Sequence, residues 1–130
     1  MNNLLSINFD TLYIFLGAIL IEFIVFLVIV SKKKLNILRI FFAVLVGNAI
    51  STSFCFFLPG TDGEYGLSFY IWLSIAFAIA LIFEWLVDIA FFKNRKYTVS
   101  NLRFFFCSLI GNLLTFSATI TIFALRNGIL

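Results

Sequence analysis

The sequence predicts an all-α integral membrane protein, with four transmembrane helices in a bundle built from two parallel two-helix repeats. Three observations carry that expectation. The 130 residues are 63% hydrophobic and 12% charged, whereas an ordinary soluble domain is about 25% charged. Four apolar stretches each reach the about 20 residues that a helix needs to cross the hydrocarbon core. One costly polar pattern also occurs twice: an acid inside an apolar span, a basic stretch, then a second span running from Leu-Arg to Gly-Asn.

The spans are expected at about 11–31, 35–57, 66–92 and 98–124. Their continuous apolar runs exclude membrane strands, which alternate over short segments. Within lipid, only helices and closed barrels satisfy their own backbone. The third span is long, which predicts tilt or an extension beyond the core. The residues before the first span lack a basic start and carry Asp10, so they do not read as a signal peptide. The whole chain, 1–130, is expected to form a single membrane domain.

Charge sets the expected orientation. Lys32, Lys33 and Lys34 separate the first two spans, and Lys93, Arg95 and Lys96 separate the last two. The middle connection, Pro59 to Glu64, is acidic and turn-rich. Positive charge stays in the cytoplasm, so both basic hairpin loops are expected there, with both termini outside, in a cell inner (plasma) membrane. Arg126 is the one charge against this arrangement. Tyr13, Tyr65, Tyr70 and Trp72 fit an outer aromatic belt. The basic tips suit anionic headgroups.

Residues 38–53 (LRIFFAVLVGNAISTS) and 102–117 (LRFFFCSLIGNLLTFS) are identical at eight of sixteen positions, offset by 64. Upstream, Ala18 and Glu22 match Ala80 and Glu84 at an offset of 62. This implies a duplication, with repeat 1 over about 11–57 and repeat 2 over about 66–124. Both copies enter the membrane in the same direction, so the repeats are parallel. Gly47, Asn48 and Ser51 share one helical face, as do Ser108, Gly111, Asn112, Thr115 and Thr119. Small and small polar residues let helices approach and bond across the contact, so these faces are expected to point inward. Ala76, Ala80, Glu84 and Asp88 form a similar stripe in the third span.

Ionisable groups inside a membrane are expensive and mark functional candidates. The expected buried polar cluster is Glu22, Arg39, Asn48, Glu84, Asp88, Arg103 and Asn112. At a helical rise of about 1.5 Å per residue, Glu22 and Glu84 lie roughly 15 Å above the cytoplasmic edge, Arg39 and Arg103 roughly 8 Å, and Asn48 and Asn112 roughly 20 Å. Each Glu is then ionised and paired with Arg39 or Arg103, neutral and bonded to an Asn, or ionised beside a water-filled cavity or bound cation. Asp88, at the height of Arg103, is the expected simple ion-pair partner; repeat 1 carries Phe26 at that position.

The first functional expectation is an oligomeric or partner-bound membrane subunit whose buried Glu/Arg/Asn cluster organises the bundle. The alternative is a channel, pore-forming effector or small ion- or proton-coupled transporter using Glu22 and Glu84. Intramembrane catalysis is the weakest reading. Histidine is absent, so no Ser-His or Cys-His pair exists, and no cofactor motif or metal-ligand cluster is legible. The expectation is therefore no enzyme, no cofactor and no metal. Cys55 and Cys107 are expected in opposite leaflets, too far apart for a disulfide. Nineteen Phe residues point around the helices in several directions. The expected partners are the lipid bilayer, a second copy or another membrane or cytoplasmic protein, and no nucleic acid.

Overall fold

A computed structural model describes residues 9–30, 35–55, 57–58, 68–93, 99–126 and 128. Lys32, Lys33, Lys34, Arg95, Lys96, Tyr65 and the 59–64 connection lie outside the described residues. So do the side chains of Asp10, Tyr70 and Arg126. Among the described residues, the regular structure is four helices: α1 (Phe9–Val30), α2 (Ile37–Cys55), α3 (Phe69–Phe92) and α4 (Asn101–Arg126).

Their boundaries follow local chemistry. Asn36 Oδ1 accepts from the backbone N–H of Leu38 at 2.9 Å, satisfying an otherwise orphan donor at the start of α2. Ser68 and Ser100 do the same for α3 and α4, accepting from Ile71 at 3.4 Å and Arg103 at 3.3 Å. These caps start α3 and α4 three residues later than hydropathy alone suggests. α2 stops at Cys55, where Phe57 and Leu58 turn back onto the carbonyls of Phe54 and Cys55. The following Pro59 disfavours a helical Leu58.

All four helices are long and apolar enough to cross a bilayer, with spans of mean hydropathy 1.7 to 2.9. Most of their surface faces outward. Val28, Leu38 and Tyr13 are 69%, 67% and 68% exposed, a pattern suited to lipid rather than water. This is a membrane-embedded helical bundle.

Each helix packs beside two others, in the order α1, α2, α3, α4 and back to α1. Neighbours run antiparallel. Glu22 meets Asn48 while Phe23 meets Phe41, and Glu84 meets Asn112 while Phe92 meets Phe104. The buried stripes recur every three or four residues, as one face of a helix requires. They are Ala18, Glu22, Phe26 and Val30 on α1, and Ala76, Ala80, Glu84, Asp88 and Phe92 on α3. On α2 the buried set is Ile40, Ala43, Val44, Gly47, Asn48 and Ser51. On α4, Phe104, Cys107, Ser108, Gly111 and Asn112 are buried, with Thr115 and Thr119 partly so.

Glycine sets the closest seams. A Cβ on Gly111 would fall 2.8 Å from Glu22 Cγ, and one on Gly47 would fall 3.1 Å from Glu84 Cγ. Each glycine thus seats the glutamate of the helix across the seam, α4 on α1 and α2 on α3. Beyond the glutamates, toward the hairpin tips joining α1 to α2 and α3 to α4, the interior is apolar. Phe26, Phe92 and Phe104 stack there with ring centroids 5.4 to 5.9 Å apart. Val30, Ile40 and Val44 fill the space around them.

Candidate functional site

The polar residues converge at mid-helix. Glu22 and Glu84 stand on α1 and α3, diagonal positions in the ring, and both are buried, 7% and 5% exposed. Asn48 Nδ2 donates to Glu22 Oε2, and Asn112 Nδ2 donates to Glu84 Oε2. Each amide also donates to the carbonyl four residues earlier on its own helix, Val44 at 3.0 Å and Ser108 at 2.9 Å. That second bond fixes the rotamer that presents the amide to the carboxyl. Ser51 Oγ adds a 3.1 Å bond to Glu84 Oε1 across the α2–α3 seam. The two carboxyls lie close enough to interact directly.

Thr115 stands on α4 where Ser51 stands on α2. It is close enough to Glu22 to act on that carboxyl. Its buried Oγ1 nevertheless has no hydrogen-bond partner among the described residues. A buried polar atom normally finds a partner, and Glu22 is the carboxyl within reach of this hydroxyl.

Sequence placement and structure differ at the arginines. Arg39 and Arg103 are only half-buried. Arg39 lies nine residues before Asn48 on α2, about 13 Å lower along the axis. The hydrogen-bond donors seen on Glu22 and Glu84 are the neutral amides of Asn48 and Asn112 and the Ser51 hydroxyl. Asp88, 4% exposed, takes its hydrogen bond from Ser108 Oγ at 3.3 Å. Among the described residues, that donor replaces the ion pair expected with Arg103. Ala80 and Gly47 are buried in the same interior, Ser51 and Gly111 with them. Lys93 is exposed just past the end of α3.

A cavity of about 230 Å³ lies directly above the carboxyls, on the side away from the hairpin tips. Its floor is Glu22, Glu84, Asn48, Asn112 and Ser51. Its walls rise past Phe15, Phe116 and Leu73 to helix ends marked by Ile14, Cys55 and Trp72. Trp72, near the start of α3, lines this cavity. A void of only about 10 Å³ continues below the glutamates to Asp88 and Ser108, near the lower limit for one water. The phenylalanine stack closes the path beyond it. Both cysteines are free. Cys55 lines the upper cavity and Cys107 the lower void. The sequence shows small residues on the inward stripes but not the space they leave. The cavity exists because Ala18, Ala76 and Ala80 stand where larger side chains would fill the interior.

Compared with protein-family models, curated proteins and solved structures, the chain matches none. The chemistry must be read from the site itself. Among the described residues, no three His, Cys, Asp or Glu side chains gather to hold a metal ion. Two carboxyls, two amides and a hydroxyl instead floor this pocket, under walls that include aromatic side chains.

Proposed function

We propose that this is a small multi-pass membrane subunit whose polar core both sets helix register and binds a singly charged ammonium group between Glu22 and Glu84. One observation carries the reading: both carboxyls, which interact with each other, floor the same 230 Å³ cavity. Two carboxylates in an apolar interior repel each other, so a cation between them would favour their ionised form. An ammonium head offers several donors to the carboxyl oxygens and to the unpartnered Thr115 Oγ1. Trp72, Phe15 and Phe116 add aromatic rings to the walls, a setting that suits a cation. The closed lower half makes the site one-ended, which suits a transporter or a ligand-sensing subunit better than an open pore.

The structural part of the reading rests on bonds between helices: Asn48 to Glu22, Asn112 to Glu84, Ser51 to Glu84 and Ser108 to Asp88. A duplication would account for the matched pair Asn48–Glu22 and Asn112–Glu84, which recur at the offsets of 64 and 62. With the basic tips in the cytoplasm, the cavity faces the outer side of a plasma membrane. Exposed Phe42, Phe54 and Phe106 suit lipid or a second copy, and the basic tips suit a cytoplasmic partner. The reading assigns no catalytic step.

Trp72 reports on the site in a Trp85→Phe background. In lipid nanodiscs, n-butylammonium is expected to change Trp72 emission saturably. Glu22→Gln and Glu84→Gln are each expected to weaken that binding about tenfold or more, the scale of losing one charge-assisted hydrogen bond. Unchanged binding in both variants contradicts the site. Altered assembly with no butylammonium response in the parent protein leaves only the register role.

A further inference from the structure

The two seams joining the halves of the bundle are not equivalent. On the α2–α3 side, Phe54 and Phe83 stack across the seam with ring centroids 4.3 Å apart. At offsets of 64 and 62, the α1–α4 side carries Ala118 and Ile21 instead. Gly17 occupies the place of Ile79, and a Cβ there would meet nothing within 4 Å. The outcome of these smaller side chains is a second cavity of about 210 Å³ on the α1–α4 seam, lined by Gly17, Ile21 and Ala118 among others. It adjoins the central cavity, with Ile14, Ala18, Thr115 and Thr119 lining both.

We infer that the α1–α4 seam is a lateral portal through which a single-chain amphiphile with an ammonium head reaches the site from the bilayer. The inference rests on the proposed ammonium site. Charge complementarity decides the occupant. A head drawn to Glu22 and Glu84 leaves its chain in an apolar groove at membrane depth, beside Gly17 and Ala118. Thr115 lines both cavities, and its Oγ1 has no hydrogen-bond partner among the described residues. A wholly polar cation gains nothing from this groove. A neutral lipid finds no charge partner at its end.

The test fills the portal with the residues of the opposite seam, using Gly17→Ile with Ala118→Phe. Binding of n-butylammonium and n-dodecylammonium is followed by Trp72 emission in nanodiscs, with concentrations expressed per lipid. The double variant is expected to keep butylammonium affinity within about twofold, which also shows that it folds. Dodecylammonium affinity is expected to fall about tenfold or more, the scale of losing a few buried methylenes. Ala118→Phe alone, with Gly17 intact, is expected to give a smaller loss in the same direction. Equal dodecylammonium affinity in the parent and both variants overturns the portal while leaving the ammonium site in place. Failure of both ligands to bind the parent protein overturns the site and the portal together. A double variant that binds neither ligand, beside an Ala118→Phe variant that loses both equally, also overturns the portal, since the seam then serves packing alone.

Discussion

Gly111→Leu is expected to destabilise the detergent-solubilised protein by about 2–3 kcal/mol, the upper part of the usual range for overpacking. The cause is local. A Cβ at position 111 meets Glu22 Cγ at 2.8 Å and the α1 backbone at Glu22 Cα at 3.6 Å. Glu22 has little room to yield, since its carboxyl is held by Asn48. α4 must therefore move off α1, and the packing of that seam goes with it. Membrane helices associate largely through such close packing rather than through a hydrophobic drive. Gly47→Leu should act in the same direction but less, since its contact to Glu84 Cγ is 3.1 Å. Gly17→Leu, in open space, should fall within about 0.5 kcal/mol of neutral. Thermal unfolding of the three variants side by side checks the order. Equal losses at 17 and 111 would contradict the seam geometry.

Glu84→Leu is the second large effect, at about 2–3 kcal/mol. It strips the acceptor from two buried donors, Asn112 Nδ2 and Ser51 Oγ, and an orphaned buried polar group costs about 1–3 kcal/mol. Both donors keep a backbone acceptor, Ser108 O and Asn48 O respectively, which holds the loss below the full sum. Glu22→Leu strips one bond from a single donor, Asn48, which keeps the Val44 carbonyl, and should cost less. Removing both partners together is milder than removing one. Glu84→Leu with Asn112→Leu should therefore recover part of the loss, with a coupling of about 1 kcal/mol in a double-mutant cycle. Strict additivity would show that the observed bond carries no stability.

Much of this arrangement is legible in the sequence. Four spans follow from hydropathy, and the cost of a buried acid by itself singles out Glu22 and Glu84. The inward faces follow from periodicity, as at Gly47, Asn48 and Ser51. What periodicity does not supply is choice among partners at nearby heights. Arg39 and Asn48 both bracket Glu22 along the axis, and only side-chain reach across the helix pair favours the amide. Ser108 is visible on the same face as Asn112, yet the stronger charge of Arg103 makes it the expected partner of Asp88. The cavity and the unequal seams depend on volumes summed over four helices. Phe54 against Ala118, and Ile79 against Gly17, gain meaning only once the helices are placed in a ring. Helix starts escape hydropathy because the caps Asn36, Ser68 and Ser100 are polar residues at the margins of the apolar runs.

The central claim is that Glu22 and Glu84 floor a cavity that holds one cation. Cys55 lines that cavity and offers a direct probe. In a Cys107→Ala background, the rate at which a trimethylammonium methanethiosulfonate modifies Cys55 is measured with and without n-butylammonium. The expected result is modification of Cys55 that butylammonium slows at least about threefold, with the protection lost in Glu22→Gln and Glu84→Gln, since each removes a charge-assisted bond to the ligand. A Cys55 that stays unmodified, or one whose modification ignores butylammonium, contradicts the site.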